Sequence, residues 1–299
     1  MSDSTALIRV TPHESAHEGG AIRVYRPPVP GRTWRSAARF AVLVGGSAAI
    51  GIGVATGGLT VAAAALLAVT LATGQVLAQT WRQNRLGQAV VGGISLGDLD
   101  AAQAAAERAL TESPAGVMRT LAASNLASVL IQRDRVDEAA AILDKYPPGL
   151  LHMPLATVLW LNNRAFAHLA SEHSEGVGAS TPLLDEAERR LHKASARDLG
   201  GPLNSKKLIA AVAGTRAIER VAHKDGKGAL HHLERARQVD DGPSTAYRTV
   251  ERELCRAEAL RLTGRQDEAT LALGALTDTT MTDRQRERMR ALGARLGLA

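Results

Sequence analysis

Cysteine is almost missing: Cys255 is the single one in 299 residues. One thiol can build neither a disulfide framework nor a cysteine-based metal site. Aromatic residues make up only 3% of the chain, which leaves few rings on which nucleic-acid bases could stack. No run of alternating strands is discernible. Alanine and leucine dominate instead, and these lose little entropy in a helix, whereas strands prefer β-branched and aromatic residues.

Catalytic motifs are absent too. No HExxH, CxxC, GxSxG or GxxxxGK[ST] pattern occurs. His231 and His232 are adjacent, so on a helix they point about 100° apart and cannot chelate one ion together. Cys255, beside Leu254 and near Ala257, reads as a buried, inert thiol. No enzyme, cofactor or metal is expected. The formal net charge is +6, but it is unevenly placed: Arg23, Arg26, Arg32, Arg35 and Arg39 come with no acid between them, while acids and bases nearly cancel from Arg82 onward. A local cluster of this kind is not a basic surface spread over a fold, and nucleic acid is not an expected partner.

Charge of either sign is missing from Phe40 to Trp81, a run of about 42 residues. A membrane-spanning helix needs about 20 apolar residues, so one helix is too short for the run and two with a break fit it. Gly57-Gly58 is the natural break. The helices are expected at about 38–56 and 59–79. Gly45, Ala49, Gly53 and Gly57 recur every fourth residue, as do Ala64, Ala68 and Ala72. Such small ridges let helix backbones approach closely in lipid, within one hairpin or between copies of the chain. A dinucleotide loop over 51–57 fails for want of an acid about 20 residues on. A signal peptide fails because the apolar run is too long and starts too late. Arg32, Arg35 and Arg39 on one side, and Arg82 and Arg85 on the other, place both ends in the cytoplasm, with Trp34 and Trp81 at the interface. The expectation is an integral inner-membrane protein, in contact with lipid and capable of self-association through these helices.

The chain then divides into 1–36, a disordered basic tail containing Pro27, Pro28 and Pro30; 37–80, the transmembrane hairpin; and 81–299, a helical-repeat domain. In the last part a motif recurs. Ala102, Ala139, Ala187, Ala229 and Ala269 occupy one position at spacings of about 37, 48, 42 and 40. Ala109, Ala194 and Ala236 follow seven residues after their partners, on the same helix face. Ala127, Ala165, Ala217 and Ala257 mark a preceding helix in the later copies. Ala165 lies farther from its partner than the others do, and the segment 171–180, SEHSEGVGAS, is expected to be the loop that explains it. Small residues allow two helices to cross closely; the first unit, Gly97 to Pro114, lacks an obvious partner helix, and 81–91, as a continuation of the second expected span, is expected to supply it.

With Gly97 and Gly264 at the turns, and Pro114 and Pro147 after second helices, the pattern resembles the tetratricopeptide repeat (TPR) family. The resemblance implies an all-α fold: the two-helix transmembrane hairpin followed by a TPR-like right-handed α-solenoid of about five helix pairs, plus a C-terminal capping helix from Asp283. It also implies a scaffold that binds a protein or peptide on the cytoplasmic side, in a groove lined by the first helix of each pair. Ser124, Asn125, Ser128, Gln132, Asn162, Asn163 and Phe166 are the candidate groove residues, the asparagines serving either a ligand backbone or only helix ends and water. Arg164, Arg216 and Arg256, each just before a small alanine, suggest either a basic ladder facing an acidic peptide or solvated side chains whose stems pack on neighbours. The alternative role is a structural subunit of a membrane complex assembled through the glycine and alanine ridges.

Overall fold

The computed structural model describes residues 61–113, 117–149, 153–171, 176–239 and 246–298. Among these residues there are eleven helices and no strand: α1 (Val61–Leu96), α2 (Leu99–Glu112), α3 (Val117–Gln132), α4 (Val136–Lys145), α5 (Pro154–Ala170), α6 (Gly176–Lys193), α7 (Pro202–Ala222), α8 (Gly226–Val239), α9 (Ala246–Leu262), α10 (Gln266–Gly274) and α11 (Asp283–Arg295). Consecutive helices pack in pairs. The first helices also touch one another in series, α1 on α3, α3 on α5, α5 on α7 and α7 on α9. This is an α-solenoid, in which each pair buries its apolar face against the next.

The crossings depend on residue size. Ala102, Ala127, Ala139, Ala165, Ala187, Ala217, Ala229, Ala257 and Ala269 are all fully buried, because a larger side chain would force the paired helices apart. Gly226 shows how tight the α8–α9 contact is: a Cβ there would stand 2.6 Å from Ala259 O. The turns between first and second helices share one geometry. Arg135 N–H donates to Leu130 O, Asp225 N–H to Arg220 O and Arg265 N–H to Leu260 O, and the residue before each donor, Asp134, Lys224 or Gly264, has positive φ. Each such bond satisfies a carbonyl that the helix end would leave orphaned.

The N-terminal part departs from expectation. Among the described residues no helix is long and apolar enough to cross a membrane. The helix expected at 59–79 does run on through 81–91, as expected of the partner for the first repeat helix: α1 continues to Leu96 and packs on α2. The C-terminal half of α1 is tied to the repeat stack: Gln79 Nε2 donates to Glu112 O (3.1 Å), Gln83 Nε2 to Ala109 O (3.4 Å), and Arg82 Nη1 lies 3.7 Å from a Glu112 oxygen. Gln79 thus serves the Glu112 carbonyl at the C-terminus of α2, while Gln83 joins Ser113, whose backbone N–H and hydroxyl already donate to Ala109 O. The expectation of an integral inner-membrane protein with cytoplasmic termini is overturned by the absence of a membrane-spanning helix among the described residues; the first expected span, 38–56, lies outside the described residues. Gly45, Ala49, Gly53 and Gly57 lie outside the described residues, as does the tail. Ala68 is exposed on α1, while of Ala64 and Ala72 only the helical backbone is described.

The expected loop 171–180 is shorter than the sequence suggests. α6 starts at Gly176 and takes in Pro182. Ser180 Oγ and Thr181 Oγ1 both donate to Val177 O. Leu184 and Ala187 farther along are buried, so tertiary packing outweighs the glycine and proline content.

At the other end α11 packs on α9 and α10 and buries Leu292. Its start is well defined: Thr282 accepts from Gln285 N–H and Gln285 returns a bond to the Thr282 backbone, a capping box.

Candidate functional site

The inner helices α3, α5, α7 and α9 enclose a groove with a cavity of about 100 Å³. Ser128 and Gln132 form one end of its lining, with Asn162, Asn163 and Phe166 beside them. Gly214 and Thr215 of α7, and Tyr247, Arg248, Glu251 and Arg252 of α9, complete it. The first-helix register explains the arrangement. Counting three residues back from the small alanines at 127, 165 and 217 gives Ser124, Asn162 and Gly214, and counting two back gives Asn125, Asn163 and Thr215.

Five of the seven residues expected from the sequence therefore line the cavity. Ser124 does not; it is fully buried beneath the lining and donates to Thr120 O. Asn125 faces α1, where its Nδ2 would lie 3.9 Å from a Cβ placed on Gly87. Asn163 makes the corresponding contact one repeat later, donating to Ser124 O and to Ser128 Oγ, both at 2.8 Å. Its amide therefore ties α5 to α3. Asn162 differs. Its Nδ2 reaches Asn163 Oδ1 only at 3.5 Å, and its buried Oδ1 has no hydrogen-bond partner. A buried carbonyl oxygen without a donor is costly, and a ligand N–H would satisfy it.

The sequence reading missed the α7 and α9 walls. Thr215 and Gly214 could have been found by carrying the asparagine register forward one repeat. Tyr247 and Glu251 had no such signal, because they lie farther up their helix. Glu251 is 5% exposed, and its carboxylate accepts from Arg284 Nη2 (3.1 Å), Gln285 Nε2 (3.1 Å) and Arg288 Nη1 (2.5 Å), all on α11. Burial, and then the Glu251 charge, push the Tyr247 phenol above its ordinary pKa, so it stays protonated.

The arginines before the small alanines form no ladder in the groove. Arg164 pairs with Asp144 of α4 (2.9 Å), Arg216 is buried against Asp185 and Glu188 of α6, and Arg256 pairs with Glu253 one turn away. The first two join a first helix to the second helix of the preceding pair. Cys255 is buried, and desolvation pushes its thiol up to about 12; the thiolate needed for nucleophilic chemistry is not available. Among the described residues no group of three His, Cys, Asp or Glu could hold a metal ion.

Stacked helix pairs around an inner groove define the class, a helical-repeat solenoid. The tetratricopeptide repeat model matches residues 94–149, which span α2, α3 and α4. Similarity to that family is shown over this segment. Among solved structures, a tetratricopeptide repeat protein from Parabacteroides merdae is similar at 14% identity over 73% of this chain and 88% of that one, with a TM-score of 0.30. No curated protein matches.

Proposed function

We propose that the chain is a non-enzymatic protein-interaction scaffold that holds a peptide segment in the groove of α3, α5, α7 and α9. One observation carries the reading: Asn162 lines that groove, and its buried carbonyl oxygen has no donor within the fold. An extended peptide supplies N–H groups at regular intervals, and each one bound inside exchanges a water contact for an amide contact. The repeat segment at 94–149 supports the scaffold role, as this class of repeat works by presenting surfaces rather than by chemistry. The division of the chain into a tail, an N-terminal helical segment and a repeat domain belongs to the same proposal.

The test is partner retention by the full-length chain after affinity capture. Asn162→Leu fills the wall without a polar group and is expected to lower retention at least about tenfold, the effect of removing a hydrogen bond worth about 1.5 kcal/mol. Arg189→Ala, on α6 and away from the groove, should leave it unchanged. A folded Asn162→Leu chain that keeps its partner as well as the unsubstituted one would refute the groove reading.

A further inference from the structure

The C-terminal helix reaches across the groove to the second helix pair. Arg284, in the first turn of α11, meets Asp134 in the α3–α4 turn, 150 residues earlier. Its backbone N–H donates to Asp134 Oδ2 (3.1 Å) and its Nε to Asp134 Oδ1 (3.4 Å). Through Nη2 the same guanidinium donates to Tyr247 OH (2.6 Å) and Glu251 Oε1 (3.1 Å). Its Cζ stands 5.5 Å from the centre of the Phe166 ring. Phe166, Tyr247 and Glu251 also line the groove.

Two carboxylates, a hydroxyl and an aromatic ring around one planar cation are the surroundings that suit arginine. A compact ammonium lacks the fork to serve them together. Burial works against the charge on Arg284, yet Tyr247, Glu251 and Asp134 outweigh it and raise its pKa. The turn geometry singles out the same place. Of the three positive-φ positions, Lys224 and Gly264 offer no side-chain acceptor, whereas Asp134 does, at a φ of 57°. A hydrogen-bonding aspartate is among the few residues that tolerate this conformation.

We propose that Asp134, Phe166, Tyr247 and Glu251 form a guanidinium-binding niche at the groove, filled in this structure by the chain's own Arg284, and that the peptide taken by the groove carries an arginine that displaces it. The inference rests on the groove being the binding surface. α11 is then an internal competitor. The occupant must outbid Arg284 alone, because Gln285 and Arg288 continue to serve Glu251 if the helix stays in place.

The probe is methylguanidinium chloride, with methylammonium chloride as a control cation of equal charge. Both are added at millimolar concentration to full-length chains, and the thermal midpoint is read. In the unsubstituted chain the niche is filled and the two salts give the same midpoint. Arg284→Ala empties it, and methylguanidinium then raises the midpoint above that in methylammonium. Adding Asp134→Asn to that variant removes most of the difference. If the alanine chain does not fold, Arg284→Lys is read in the same way, since its ammonium cannot span Asp134 and Glu251 with one planar group. Equal midpoints in the two salts for the folded variant overturn the niche. Partner retention by Asn162→Leu is a separate readout. Lost cation selectivity with retention still dependent on Asn162 defeats the niche alone, and retention independent of Asn162 defeats the groove reading itself.

Discussion

Arg216→Met tests how the stack is held together away from the groove. Arg216 is 2% exposed and lies 2.5 Å from Asp185, 2.9 Å from Glu188 and 3.7 Å from Glu219. The three acids differ in what they lose with it. The side chains of Asp185 and Glu188 are 65% and 32% exposed and can rehydrate, whereas that of Glu219 is 2% exposed and cannot. Glu219 would keep Thr181 Oγ1 at 2.7 Å, His223 Nε2 at 3.3 Å and the more exposed Arg220 Nε at 3.6 Å from its Oε2, but that Oε2 has no hydrogen bond even now. Breaking a buried pair from one side costs about 3–5 kcal/mol, while replacing both partners by apolar groups is often neutral. Arg216→Met should therefore destabilise the chain by about 3 kcal/mol or more, and Arg216→Met with Glu219→Leu should recover most of that. Urea unfolding followed by circular dichroism reads both midpoint and slope, a changed slope revealing segments that unfold separately. A loss below about 1 kcal/mol for the single change, or a double variant no more stable than the single one, would show that Glu219 is not the stranded group.

Two further outcomes follow from the geometry. Gly226→Ala places a methyl 2.6 Å from Ala259 O and 2.9 Å from Leu262 Cβ, so thermal unfolding should show a loss of about 1–3 kcal/mol from overpacking. Gly214→Ala meets nothing within 4 Å inside α7 and should stabilise by about 0.5–1 kcal/mol; equal effects from the two would contradict the packing described. Stability should also fall with acidity. Burial lowers the pKa values of His168 and His232 below 6.5, so near and below that pH the unfolded chain binds protons that the folded chain resists. The contribution is intact above pH 6.5 and is lost as pH falls through the lower folded values. His232→Gln should flatten the decline in urea midpoint between pH 7 and 5, and an unchanged slope would count against the assignment.

The fold was legible where its cause is local. The small residues at 102, 139, 187, 229 and 269 repeat on one helix face, and all five are buried at crossings. The family resemblance pointed to Ser128, Gln132, Asn162, Asn163 and Phe166, which line the groove wall, and equally to Ser124 and Asn125, which do not. It did not separate Asn162, whose acceptor is free, from Asn163, whose amide is used up in joining α5 to α3, because neighbours on one helix face different helices. The arginines at 164, 216 and 256 looked alike in sequence, yet only the first two reach acids on the helix pair before them.

The uncharged run from Phe40 to Trp81 marked where one kind of chain gives way to another, but not what that part does. Absence of charge is a weaker statement than apolarity, and the polar ties of Gln79, Arg82 and Gln83 to α2 are made by residues far apart in the chain. By itself the sequence determined that the described part of the chain is helical, that its helices pair, and which faces are pressed together, because periodicity and side-chain size act within a few residues. Only the tertiary structure decided that Arg284 meets Asp134. The small rotation from each helix pair to the next accumulates along the stack, and that sum brings a residue near the end of the chain beside one 150 positions earlier.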